Sequence, residues 1–498
     1  MSKYFIGLLS MLFIAGSSYE ATASGTDIYV ISDLHLGPGK HKDDTGEEVY
    51  YKVEDFRWDD EFVEFIKDII KKEQKSIDLI IAGDMFEMLQ WGEKDTCEYD
   101  QNADLGCNEH DSLERIKIIL KAHTKVIGAL DSLLSASTTN NLVILPGNHD
   151  AAILYKPVQK EIISKFSSNN QKRVSIRNQG YWLTEDKNIY IDHGHQLAND
   201  TNSFEKWPFP FLINNGKRYI QRTFGERFVQ KFFNEYEVNY PVIDNLSSEY
   251  KGVSYAASEG NLWENVYKIA IAAGDAKKML AGLSTSQWMG VLGDQVDYNA
   301  TVDEEGDQFI LNSIDPEDEL TRNVIKKAIE TKEISVDKLT DQDKMKMCIY
   351  RQYLKDLKRN VTPCRKGLGN GILNNAYEYF FPGTFLSKHL NKVNEGHTHH
   401  EFKVYIQGHT HGAKEPSTFS ARASWLVNTI NSGAWQRVID VDKLGTYLKT
   451  ANSDKEKRKM AEMQPEELPA CYSYVHIPPY ENGQEPNPKL FWWGKDCQ

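Results

Sequence analysis

Metal-binding side chains recur in short clusters along this 498-residue chain. Ser32-Asp33-Leu34-His35 is followed by Gly83-Asp84, then Gly147-Asn148-His149-Asp150, then Asp192-His193-Gly194-His195, and finally Gly408-His409-Thr410-His411-Gly412. These are nitrogen and oxygen donors without a thiolate, a set that suits Mn, Fe or Zn rather than Ca. Asp33 and His35 lie two apart, so in extended chain both project to one side and can reach one ion. Gly-His-Thr-His also occurs at 396–399. A single site rarely needs both copies, so one of the two must be the ligand pair.

The clusters share a position. Each follows a short apolar run: Asp27–Ile31, Asp78–Ala82, Leu142–Leu145, Asn188–Ile191 and Phe402–Ile406 with Gln407. Such runs predict buried strands, and sites in an α/β sheet usually form at the strands' C-terminal ends. Between the runs, Phe62, Phe65, Ile66 and Ile69 recur at helical spacing, as do Ile116, Ile119, Leu120 and Ile127. Strands alternating with helices imply an α/β layer architecture. The second Gly-His-Thr-His follows a strand, and the first follows the helical-looking Ser387–Val393. The second copy is therefore read as the ligand pair. The first is read as a solvated loop, with a peripheral metal or substrate contact as its alternative.

The division expected is a signal peptide over 1–23, a core over 24–200, a helical insertion or cap over 201–398, a closing part of the core over 399–445 and a tail over 446–498. The insertion is suggested by helical patterns at Phe224, Phe228, Phe232 and Tyr236 and from Glu319 to Lys332. Trp207, Phe209 and Phe211 alternate with prolines just after His195, and either line the cleft as a lid or pack as core. Strand-like text returns at Trp425–Val427 and Val438–Val441, and a charged stretch from Asp454 to Lys459 reads as a linker.

Lys3, the apolar run Tyr4 to Gly16 and Ala21-Thr22-Ala23 read as a secretory signal. The run is short of the ~20 residues needed to span a bilayer. A secreted or periplasmic location with no transmembrane segment in the mature chain is expected. Six cysteines fall in three close pairs, Cys97–Cys107, Cys348–Cys364 and Cys471–Cys497, which suits disulfides in an oxidising compartment. A net charge of −14 disfavours nucleic acid as a partner.

Taken in order as D-x-H, G-D, G-N-H-D, H-G and G-H-x-H, each after a strand, the clusters resemble the calcineurin-like metallophosphoesterase superfamily. The likeness covers roughly 27–200 and 400–440. The opening Ser-Asp-Leu-His-Leu-Gly and the stretch Asn428–Trp435 look most like its diacylglucosamine pyrophosphohydrolases. A cytoplasmic role in lipid A synthesis conflicts with the signal peptide, so that likeness guides fold and not substrate.

The resemblance implies a four-layer α/β/β/α sandwich and two divalent metal ions, Mn, Fe or Zn. Asp33, His35 and His411 look like ligands of the first ion, and Asn148, His193 and His409 like ligands of the second. Asp84 resembles the bridging carboxylate. His195 remains the alternative to His193. His149 resembles the histidine that stabilises or protonates the leaving oxygen, and Asp150 would orient it. Glu87 is either a supporting residue or one that merely starts a helix. The implied reaction is hydrolysis of a phosphate ester or anhydride by a metal-bridging hydroxide, on a small phosphorylated substrate, an amphipathic one included. The alternative is a binding protein that kept the fold and lost the chemistry.

Overall fold

A computed structural model describes residues 25–73, 76–91, 105–197, 202–223, 234–247, 384–422, 424–440, 443–450, 453–457, 460–481 and 484–497, with Cys97 and Glu226. Several expectations lie outside these residues: the signal peptide, the helical patterns at Phe224, Phe228 and Phe232 and from Glu319 to Lys332, and the pair Cys348–Cys364.

Two sheets are stacked face to face. The first contains β1 (Thr26–Ile31), β2 (Ser76–Ala82), β4 (Asn141–Leu145) and β5 (Val174–Ile176), parallel to one another. The second contains β6 (Tyr181–Leu183), β7 (Ile189–Asp192), β10 (Val404–Gln407), β11 (Lys414–Arg422) and β12 (Trp425–Asn431), in the order β11-β12-β10-β7-β6. The runs are apolar throughout because both faces of each central strand are covered. On β1, Ile28 and Val30 face the second sheet, where they meet Ile189, Ile191, Val404, Ile406 and Ile430. Tyr29 and Ile31 face the other way, into a core with the helices.

Those helices are α1 (Asp59–Lys72), α2 (Glu109–Ala122), α3 (Thr124–Ala136) and α4 (Lys156–Ser164). α1 buries Phe62, Phe65, Ile66 and Ile69, and carries acids in its first turn and lysines in its last, matching its dipole. α2 starts where the Asn108 side chain accepts the Asp111 amide at 3.0 Å. The pattern Ile116 to Ile127 is broken between α2 and α3 at His123. On the outer face of the second sheet, Leu390 and Val393 of α6 (Thr384–Val393) pack on Tyr190, Tyr405 and Val427. The layers run α/β/β/α, as expected.

Two expectations need correction. Residues 446–498 are not merely a tail. β13 (Tyr472–Ile477) pairs antiparallel with β1, and β14 (Lys489–Trp493) pairs with β13, so this segment completes the first sheet. The reason is in the residues: Val475 and Ile477 point into the inter-sheet core, while Tyr472 and Tyr474 point toward the helices. Likewise 453–457, which overlaps the presumed linker Asp454 to Lys459, pairs with 449–450.

The region after 200 also does not begin as helix. β8 (Phe211–Asn214) and β9 (Lys217–Gln221) form a hairpin whose β9 edge pairs with β3 (Leu105–Asn108). Its turn is Asn215-Gly216, both at positive φ (48° and 77°), the dipeptide that favours a two-residue hairpin. Of the expected helical pattern, α5 (Asn234–Asn239) is described. Cys97 and Cys107 lie at disulfide distance, with Cα atoms 5.0 Å apart, and so do Cys471 and Cys497, at 4.9 Å. Among the described residues no helix is long and apolar enough to cross a membrane.

A buried ionic knot fixes the loop that leaves β1. Glu54 accepts the amides of Gly37, Gly39 and Phe56, and His123 lies against it, 3.5 Å from Glu54 and 3.2 Å from Asp59. Burial alone would lower the His123 imidazole, but the Glu54 charge and the Asp59 hydrogen bond outweigh it and raise its pKa to about 10 from 6.5. A histidine raised by folding contributes its full stability below the unfolded value and loses it as pH climbs through the folded one. Thermal stability should therefore fall between pH 6.5 and 10, and His123→Gln should flatten that fall. Parallel melting curves for both proteins across this window would refute the assignment.

Candidate metal centre

The five clusters meet at one edge of the sandwich. Asp33 and His35 leave β1, Asp84 leaves β2, Asn148 and His149 leave β4, His193 leaves β7, and His409 and His411 leave β10. Eight described non-glycine residues have positive φ, and five of them are Asp33, His35, Asp84, His409 and His411. Each such backbone costs about 1–3 kcal/mol. The concentration of strain here means the surrounding fold holds these side chains in place against local preference.

Two glycines show how close the parts come. A Cβ on Gly147 would collide with the Asp84 carboxylate, and one on Gly408 would collide with Ser32 and Asp33. Glycine in G-N-H-D and G-H-T-H thus makes room for carboxylates arriving from neighbouring strands.

Two buried groups of donors result. In the first, one ligand atom each from Asp33, His35 and His411 lies within 4.8 Å of the others. His35 Nε2 and His411 Nε2 are 3.2 Å apart, and Asp33 Oδ1 is 3.9 Å from the first and 3.6 Å from the second. The second group is Asp84, His193 and His409. His193 Nε2 is 2.8 Å from Asp84 Oδ2, 3.1 Å from Asn148 Oδ1 and 4.0 Å from Asp33 Oδ1. Asp33 and His193 therefore join the two groups.

The donor chemistry fits cations. His35 Nδ1 donates to Glu87 at 2.9 Å, His193 Nδ1 to the Ala82 carbonyl at 2.9 Å, and His411 Nδ1 faces the Asp244 carbonyl at 3.4 Å. A ring that gives its Nδ1 proton to an oxygen keeps the Nε2 lone pair for a metal, the usual arrangement of ligating histidines. His35 Nε2 and His411 Nε2 face each other across 3.2 Å, close enough for both to turn their lone pairs to one ion. Asp33 Oδ1 is fully buried and accepts no hydrogen bond among the described residues. A cation satisfies all three at once. Burial alone would raise the Asp84 carboxyl, but while no metal occupies the Nε2 positions the charged His193 and His149 imidazoles and the His193 hydrogen bond hold it well below its ordinary range. It stays an anion.

The remaining candidates separate clearly. His149 sits at the rim, its amide donating to Asp84 Oδ1 at 2.8 Å and its Nδ1 2.6 Å from Glu87 Oε2. Glu87 is fully buried in a loop, not at a helix start, and its other oxygen accepts the Leu89 and Gln90 amides. One carboxylate oxygen thus serves both His35 and His149. Burial would raise Glu87, yet the two imidazoles lower it to about 2.

Asp150 does not take the orienting role expected of it. Its oxygens accept the amides of Gly147, Met85 and Phe86, because the tight turn folds the carboxylate back onto its own loop and the one after β2. It is a loop clamp, and Glu87 holds the imidazole.

His195 is buried behind His193 and His409, and its ring meets the edge of Trp207 at 4.4 Å. Trp207 stacks on Phe204 and lies against Gly180, while Phe209 is 70% exposed. The aromatic segment splits between packing and surface. The first Gly-His-Thr-His closes the turn after α6, where His399 is exposed at positive φ. Among the described residues, His399 is not grouped with either set of donors.

Residues 26–243 match the family model for calcineurin-like phosphoesterases. The match ends before β10, so His409 and His411 join the site through the fold. No curated protein matches the chain.

Proposed function

Because the chain carries a calcineurin-like phosphoesterase domain, we propose that it is a dinuclear metal-dependent hydrolase of a small phosphate ester or anhydride. The observation that carries this reading is the convergence of seven donor residues from five strand ends into two linked buried groups. Asp33, His35 and His411 would hold one ion, Asn148, His193 and His409 the other, with Asp84 between them. The ions would supply Lewis-acid stabilisation of phosphoryl oxygens and an activated water at neutral pH.

The chain's own side chains do the rest. Ionised Glu87 keeps a proton on His149 Nδ1 and fixes the ring. His149 Nε2 is then directed to give a proton to the departing oxygen. The carbonyl of Ala82 and the carboxylate of Glu87 hold the ligand rings in the tautomer that binds metal. Export to an oxidising compartment is part of the proposal, supported by the two cysteine pairs at disulfide distance.

Turnover of mono- and diaryl phosphates with Mn²⁺ present tests the activity. Alanine at His409 or His411 should each reduce it by about a hundredfold or more, whereas alanine at His397 or His399 should leave it nearly intact. The reverse pattern would move the metal site to the other copy of the motif.

A further inference from the structure

On the far side of the strands that carry His193 and His409, three polar side chains are buried together. The side chains of β7 alternate: Ile189 and Ile191 enter the inter-sheet core, and Tyr190 enters the outer core under α6. The same alternation sends Asp192 outward, while His193, the next residue, turns back to Asp84. Asp192 and His389 are both buried, and the carboxylate accepts from two elements at once. His389 Nε2, from α6, lies 2.8 Å from Asp192 Oδ2, and the Tyr405 hydroxyl, from β10, donates to Oδ1 at 2.8 Å.

We propose that Asp192, His389 and Tyr405 are positioning residues for the second ion, so that His389 on α6 sets how tightly Asn148, His193 and His409 hold it. This rests on the dinuclear reading above and adds residues outside both donor groups. His193 and His409 follow the ends of β7 and β10, and those two ends are tied to each other. The Gly408 amide donates to the His193 carbonyl at 3.1 Å. A Cβ on Gly194 would meet Gln407 Oε1 at 3.1 Å, so the two loops also pack together. The Tyr405 hydroxyl is 3.2 Å from the same Gln407 oxygen. Asp192 closes this set from the outside, and His389 holds Asp192. A buried carboxylate is costly unless its oxygens are satisfied. Losing His389 removes the donor to Oδ2, and the carboxylate then relaxes toward water, carrying with it the peptide that joins Asp192 to His193.

Mn²⁺ titration of the full chain, with free Mn²⁺ read by electron paramagnetic resonance, tests this. The wild type should bind two ions. His389→Leu should keep one at wild-type affinity and weaken the other by about tenfold or more, as the outer partners of metal ligands do. In a His409→Ala background, which already lacks the second site, it should change the remaining affinity no further. His389→Gln, whose amide can again donate to Asp192, should recover most of the loss. Tyr405→Phe, which deletes one hydroxyl, should weaken the same ion and reads alone if His389→Leu does not fold. Val393→Ala thins the same outer core from the same helix, and should lower the melting temperature without separating the two affinities. Affinities unmoved in His389→Leu and Tyr405→Phe, or both ions weakened equally, would overturn the positioning role and leave a hydrogen-bonded group that only supports the fold. A wild type that binds fewer than two ions would overturn the dinuclear reading, and this inference with it.

Discussion

Replacing Asp84 with asparagine is expected to abolish hydrolysis and strip metal from the chain, while leaving the fold standing. The two side chains have nearly the same shape, so the backbone amide of His149 can still reach an oxygen at this position, as it now reaches Asp84 Oδ1 at 2.8 Å. What disappears is the charge. Asp84 is the buried anion that the His193 and His149 imidazoles keep ionised, and its Oδ2 faces the His193 ring at 2.8 Å. Removing one preorganised electrostatic stabiliser typically costs about 10²–10³ in rate. Here the same change also removes the carboxylate proposed to hold both ions, so the loss should exceed that range. Metal analysis should find clearly less than the wild-type content. Wild-type turnover and full metal content in Asp84→Asn would refute the dinuclear assignment.

The second large effect should come from His149, and it should look different. His149→Ala ought to keep its metals, because the ring lies at the rim and pairs with Glu87 rather than closing either donor group. Its rate should fall by about 10²–10⁴, the usual contribution of a positioned acid. The loss should be greatest on alkyl esters and least on aryl esters whose leaving oxygen needs little help. Glu87→Gln should reproduce part of that pattern, since a neutral amide cannot hold the second proton on the ring as the carboxylate does. It should also disturb metal content somewhat, because the same oxygen orients His35. Equal losses across leaving groups would remove the acid role from His149.

Much of this was legible in the residues, and the limits have physical causes. The strands that carry the site are apolar on both faces, so Asp27–Ile31 and Leu142–Leu145 announce themselves without a partner in view. The ligand types follow them directly. Glu87 was harder, because its importance comes from a chain path. Leu36 and Phe86 bridge two loops that the His35, Leu36 and Glu87 amides also join, and this path places one oxygen between His35 and His149. The roles of Asp150 and Glu87 differ for the same reason: sequence adjacency suggested the first, and the turn geometry turns it away.

The strand Tyr472–Ile477 was obscured by flanking tyrosines, prolines and tryptophans, although its alternation into two cores is regular. The Asn215-Gly216 hairpin carried its own signal, which the neighbouring aromatic and proline-rich segment concealed. The group of Asp192, His389 and Tyr405 has no local signature, since its members are brought together by the fold alone.

The most direct test of the account is transition-metal content measured alongside turnover on the same sample. The purified wild-type chain, loaded with Mn²⁺ and freed of excess, should hold two transition ions by mass spectrometry and hydrolyse an aryl phosphate. Chelation should remove ions and activity together, and returning Mn²⁺ should restore both. Undiminished hydrolysis by the metal-free chain would contradict it.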